Sequence, residues 1–417
     1  MSAQPNMFSV LRNRDFFFLE LNAFFATIAA EIFTVAMGWR IYEMSGDAFA
    51  LGLVGLAQFL PMPLLVFLTG TAADRYSRRR IVTICMAVEF AAMLGIAAVA
   101  HLPAGDIWPI LSFLVLLGAG RAFLAPASRA LAPTLVTREE IGAAVSCSTA
   151  IWQFCSIAGP ALGGLLYGFS PDIAYGTALV MVFCAGLASL FIRPAPQKPV
   201  QEESMVDALM GGLRYMKAEK IVLGATTLDL FAVLLGTTIG LLPIFAKDIL
   251  LADAFELGVL RSAIGIGALG MALFLGVFPV RRKAGPIMFA TVAVFGVGTV
   301  VFGLSHSLVL SVGALIVMGA SDMISVYIRE VLLQLWTPDS LRGRVTAVNS
   351  VAVSASNELG TFRAGASADL FGPVIATVLG GICTLGVTLM WMYLFPRLRQ
   401  ADHLSGIEAE DGRAKEA

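Results

Sequence analysis

Glu31 stands near the middle of an unbroken apolar run, Phe16 to about Ile41, where a carboxylate has no bulk water to face. Stepping by three and four residues along a helix, Glu20, Thr27, Glu31, Thr34 and Gly38 fall on one face. An ion at mid-bilayer costs about 2.5–3.5 kcal/mol, so such a group must meet a cavity or a partner. The same test singles out Asp229 in a later apolar run, Asp322 and Arg329 in another, and Glu358 with Arg363 in a third. Asp322 and Arg329 share a helical face with Ser311 and Ser325 and sit roughly 10 Å apart along the axis, a spacing that brackets a polar channel. A carboxylate so placed can take a proton from one side of a membrane and release it on the other as its access to water changes. Phe24, Trp39, Trp152 and Phe154 are available to stack on a bulky apolar ligand.

A second kind of chemistry lies in a polar turn, Gly70-Thr-Ala-Ala-Asp74-Arg75-Tyr-Ser77-Arg78-Arg79-Arg80. Asp74, Arg75 and the arginine triplet can make charge-assisted hydrogen bonds to a neighbouring helix end. Such a cluster can hold one state of a two-state protein and let go in the other. The arginines alone also satisfy the demand for a positive cytoplasmic loop. Gly159, Pro160, Gly163 and Gly164 permit a helix bend and a close helix contact, or plain packing.

Other chemistries find no support. The five cysteines (Cys85, Cys147, Cys155, Cys184, Cys383) form no CxxC pair and the histidines are scattered, so neither a disulfide framework nor a metal site is expected. No GxxxxGK[ST], GxSxG or HExxH run occurs, which leaves no expected enzyme activity and no cofactor. The net charge of -1 points to no nucleic acid.

The elements that must position these groups are membrane helices. The 417 residues are 58% hydrophobic and only 14% charged, against about 25% charged in soluble proteins. Windows of about 20 residues give twelve spans, near 16–41, 49–73, 80–101, 108–130, 141–168, 173–192, 221–246, 256–278, 286–304, 308–332, 342–366 and 371–395. The first is too long for a cleaved leader. Nothing alternates apolar and polar as a barrel strand would, so the fold class is all-α. A six-helix bundle over 1–192 is followed by a polar linker over 193–220, with a short surface helix from Met205 to Met216. A second six-helix bundle over 221–395 and a tail over 396–417 complete the chain. Placing the N-terminus inside puts nearly every lysine and arginine on the cytoplasmic side, leaving Lys247 and Arg261 outside and Arg40 near an outer end. Both termini are therefore expected in the cytoplasm. At an offset of 200 residues Arg129 aligns with Arg329, Thr137 with Thr337 and Val145 with Val345, as parallel six-span halves would require.

The polar turn resembles the GxxxDRxGRR motif of the major facilitator superfamily, with Ser77 where that motif has its second glycine. Gly159-Pro160-Ala-Leu-Gly163-Gly164 resembles the GPxxGG motif of its proton-coupled exporters. Trp39-Arg40-Ile-Tyr42-Glu43, Leu56-Ala-Gln58-Phe-Leu-Pro61 and Pro338-Asp339-Ser-Leu-Arg342-Gly343-Arg344-Val345 are similar to the branch of enterobactin exporters and macrolide efflux proteins. Arg121 lies on the fourth span without that superfamily's usual surrounding pattern. The resemblance implies two pseudo-symmetric six-helix bundles and a cavity lined by the first, fourth, seventh and tenth spans. That raises Glu31, Asp229 and Asp322 and leaves Glu89, on the third span, as structural. It implies a monomer in the bacterial inner membrane that exports a hydrophobic or amphiphilic small molecule by proton antiport. A proton-coupled uptake permease and a non-transporting membrane sensor stay open as alternatives.

Overall fold

The computed structural model describes residues 10–100, 106–193, 205–280 and 282–400. The side chains at positions 70, 74 and 75, most of the tail, and the first part of the linker lie outside the described residues. The chain is helical throughout that range. α1 (Arg14–Ser45) is followed by α2 (Ala48–Phe59) and α3 (Pro61–Arg75), two pieces of one span broken ahead of Pro61, whose ring cannot continue the helix. α4 (Arg78–Val99), α5 (Trp108–Leu131), α6 (Ile141–Phe169) and α7 (Pro171–Leu190) complete the first half. α8 (Met205–Ala218) is the short linker helix. α9 (Lys220–Gly236), α10 (Ala254–Val277), α11 (Ala284–Leu304), α12 (Leu308–Leu335), α13 (Asp339–Phe371) and α14 (Pro373–Leu394) follow.

Eleven of these segments are long and apolar enough to cross a membrane, counting Ala48–Leu65 and Lys220–Ile249 as single spans. α13, at 33 residues, is the twelfth long helix; Arg342, Arg344, Glu358, Arg363 and Asp369 keep its hydropathy low. Its length of about 50 Å exceeds a hydrocarbon core of about 30 Å, which leaves room for polar ends. The bilayer itself is written on the outer faces. Phe183, Leu187 and Leu190 on α7, and Ile375, Leu379 and Ile382 on α14, form exposed apolar stripes at helical spacing. A water-soluble surface rarely carries such contiguous stripes.

The chain divides into two compact units. One is 1–202 with 251–262; the other is 203–250 with 263–417. Each has the same internal plan. In the first, α1 packs on α6 and α7, while α4 packs on α5 and α7. In the second, α9 packs on α13 and α14, while α11 packs on α12 and α14. These are equivalent pairs in two six-span halves, so the fold repeats the parallel arrangement that the sequence offset suggests.

Two local features differ from the sequence expectation. The seventh span is not continuous: α9 ends at Gly236, Thr237 is extended, and the chain resumes as a tight turn at Ile239–Leu241 and a wide turn at Phe245–Ile249. The freed carbonyls of Leu234 and Thr237 are taken by Arg363, whose Nε and Nη2 donate to them at 3.2 and 3.1 Å. A cation at a helix C-terminus also complements the helix dipole. The linker helix α8 packs on α13: Gly211 and Gly212 lie against Arg344, and the Tyr215 hydroxyl donates to the Trp336 carbonyl. Burial, with Glu219 nearby, pushes the Tyr215 phenol above its ordinary range and keeps it a donor.

Candidate functional site

The first unit contains a cavity of about 740 Å³ whose wall runs from Leu19 to Ala30 on α1 and along α5 and α6. Glu20 and Ala30 are ten residues apart, so the wall extends about 15 Å along α1. Most of its surface is apolar: Leu19, Leu124, Val136, Ile141, Val145 and Ile151, with Trp152 at one edge. A few polar groups converge on this apolar wall, the usual make-up of a small-molecule site. One carboxylate oxygen of Glu20 accepts from the Ser148 hydroxyl, and the other is buried without a partner among the described residues. Asn22 donates to the Ala185 carbonyl at 2.7 Å. Arg121 donates through Nη1 to Gln58 Oε1 at 3.0 Å, while its Nη2 is buried without a partner among the described residues. Gly118 makes this possible, since a Cβ there would strike the Gln58 backbone. Glu89, only 2% exposed, lines the same cavity from α4.

Glu31 is half-buried at the back of this wall. Thr27 and Ala30 face the cavity, and Glu31 is turned toward α6. There it meets the glycine-proline segment: a Cβ at Gly159 would collide with the Glu31 Cβ. Gly163 likewise lies against the Ile32 backbone, and Gly164 against the backbone of Ala254 and Gly258. Three glycines along one helix thus let α6 approach backbone on two sides. Pro160 sits inside α6 and removes one backbone donor there. Arg121 and Arg261 are the cations whose field reaches Glu31.

In the second unit, Asp229 of α9 and Arg329 of α12 form a buried ion pair. Asp322 lies two turns before Arg329 on α12 and is electrostatically in contact with both. Asp229 and Asp322, with Ser321, Ser325, Val233 and Phe295, enclose a space of only about 10 Å³. That is about the room one water needs. Arg329 is thus paired with Asp229, has Glu330 at 3.9 Å from Nη2, and feels the nearby charge of Asp322. Arg329 and Arg129, aligned by the sequence offset, differ in setting: the first is buried and paired, the second is exposed at the cavity rim.

A family model described as "Transmembrane secretion effector" matches residues 6–412. The chain belongs to this family of major facilitator transporters. Among its relatives is the enterobactin exporter EntS of Shigella boydii serotype 18 (strain CDC 3083-94 / BS512), 25% identical over 390 residues and 91% of each chain. Solved structures share the fold at low identity. A mutant of the nucleoside transporter NupG superposes with a TM-score of 0.73 at 12% identity, over 91% of this chain and 99% of that one. A bacterial homologue of the human lysosomal transporter Spinster, inward-facing and occupied, gives 0.72 at 14% identity, over 93% and 97%.

In this major facilitator the arginine-rich turn ties helix ends together. Arg78 Nη1 donates to the Ala130 carbonyl at 2.7 Å, at the C-terminus of α5. Arg79 donates to the carbonyls of Ser189 and Leu190 at 3.3 and 2.5 Å, at the C-terminus of α7. Both arginines meet the negative end of a helix dipole, the partner type expected from the sequence. Asp74 and Arg75 lie on α3, with side chains outside the described residues. Glu358 is half-buried on α13. Asn22 and Ser148 on the cavity wall carry no signal in the sequence, and Glu89, which reads from it as structural, lines the cavity as well. The available signal was its place mid-span opposite the Gly118-Ala-Gly120 stretch, where small residues draw α5 close; Glu89 Cγ lies 3.6 Å from where a Gly120 Cβ would be.

Proposed function

We propose that this protein exports a hydrophobic or amphiphilic small molecule from the cytoplasm by proton antiport and alternating access, as a monomer in the inner membrane. The observation that carries the reading is the large, mostly apolar cavity of the first unit, with its few buried polar groups. The export direction rests on membership of a secretion family and on the name of the relative EntS, an enterobactin exporter. Protons are assigned to the second unit. Asp322 adds a second carboxylate beside the Asp229–Arg329 pair, and a proton arriving there removes its charge. A space of about 10 Å³ admits water or a proton and no cargo. Glu31, pressed against Gly159, is assigned to sense helix movement in the first unit, and Arg363 to hold the broken end of α9. Gly70, Asp74, Arg75, Arg78 and Arg79 are assigned to a latch at the cytoplasmic ends.

Everted membrane vesicles test the function. With an acid interior imposed, vesicles holding the protein should accumulate labelled enterobactin or another bulky amphiphile, and collapsing the gradient should empty them. Accumulation by right-side-out cells instead would turn the reading to an uptake permease.

Orientation has its own check. Both termini are assigned to the cytoplasm. Ser77→Cys and Ser340→Cys should then stay unlabelled by an impermeant thiol reagent in intact cells, and Asp253→Cys should react. Labelling of Ser77→Cys from outside would reverse the topology.

A further inference from the structure

The wall of the 740 Å³ cavity holds two buried groups of opposite charge that are not joined to each other. Glu89, at 2% exposure, accepts no hydrogen bond among the described residues, and its Oε1 is buried without a partner. Arg121, the cation whose field acts on Glu89, is held through Nη1 by Gln58 and keeps Nη2 without a partner. No ion pair within 4.0 Å links Glu89 and Arg121 among the described residues. A buried acceptor and a buried donor left unbonded are costly, more so when charged, and a ligand that completes both recovers that cost. A cation would face Arg121 and an anion would face Glu89. A neutral head group with a donor and an acceptor side by side faces neither problem.

We propose that Glu89 and Arg121 form a head-group subsite, in which Glu89 accepts from and Arg121 donates to a neutral polar group such as a primary amide or a hydroxyl beside a carbonyl. The apolar remainder of the ligand lies along Leu124 and Trp152, toward Glu20 and Ser148, which bond each other. This rests on the reading of the cavity as the cargo site, and it narrows that cargo to neutral amphiphiles.

The test is equilibrium binding to the purified full-length protein in detergent, with no gradient. The probes are 1-pyrenecarboxamide, its N,N-dimethyl derivative, which accepts but cannot donate, and (1-pyrenylmethyl)trimethylammonium. The signal is energy transfer to pyrene that is lost in Trp152→Phe, since Trp152 borders the cavity. The primary amide should bind at least tenfold more tightly than the other two. Glu89→Leu should abolish that preference, and Glu89→Gln, of native shape, should retain part of it. Equal binding of the two amides to the unaltered protein overturns the subsite whatever the variants do. Tighter binding of the ammonium probe overturns it in favour of a cation site. Trp152-dependent transfer from none of the three overturns the cavity reading as well, which separates the two failures.

Discussion

Arg329→Met should be the most damaging single substitution in the second unit. It leaves Asp229, 5% exposed, as a buried carboxylate whose only ion-pair partner among the described residues is gone, with Asp322 close by. Removing one partner of a buried pair costs about 3–5 kcal/mol, because the remaining charge has neither water nor counter-ion. The same argument gives the cure. Asp229→Asn on the Arg329→Met background removes the stranded charge and should recover most of the loss, although Asp229→Asn alone leaves Arg329 with only the longer contact to Glu330 and the nearby charge of Asp322. Thermal unfolding of the four proteins in detergent forms a double-mutant cycle, and a large favourable coupling is expected. Additive losses would mean that the pair does not act as one unit. The recovered double variant should still lack gradient-driven export.

Gly159→Ala is the second large effect, and it acts through shape. The added Cβ meets the Glu31 Cβ, so α1 and α6 must separate or bend. Overpacking of this kind costs about 1–3 kcal/mol. Glu31→Gly removes the opposing Cβ and should relieve the clash, at the helix-propensity cost of about 1 kcal/mol for a glycine. The combined variant should therefore be less destabilised than the sum of the two. Gly164→Ala offers no such remedy, since its neighbours are the Ala254 carbonyl and the Gly258 backbone. Ready tolerance of alanine at position 159 or 164 would contradict the packing described.

Much of this architecture is readable from the sequence, and the reason is the bilayer. Apolar length alone marks the spans, and an ionisable residue within one draws attention to itself, as Asp229, Asp322, Arg329 and Glu31 do. What sequence does not carry is which helix faces which. Asp322 and Arg329 share a helical face and read as bracketing a channel; the structure pairs Arg329 with Asp229, a hundred residues away on another helix. Arg363 reads only as an ionisable group within a span, and the carbonyls of the broken α9 that engage it are not legible there. That break leaves no dip in hydropathy, because Gly236-Thr-Thr-Ile-Gly is small and only weakly polar. Glu89 reads as structural because its span is peripheral by resemblance, whereas Gly118 and Gly120 draw its neighbours in far enough to put it on the cavity wall.

The separation of a proton site in the second unit from a cargo site in the first is tested most directly by one comparison in proteoliposomes. Using a compound that the everted vesicles accumulate, proton release on its addition and its exchange across the membrane are measured together for the native protein and Asp322→Asn. The native protein should release protons and exchange the compound. Asp322→Asn should still exchange it at close to the native rate, release no protons, and fail to move it uphill under a pH gradient. Native proton release from Asp322→Asn, or loss of exchange together with proton release, would contradict that separation.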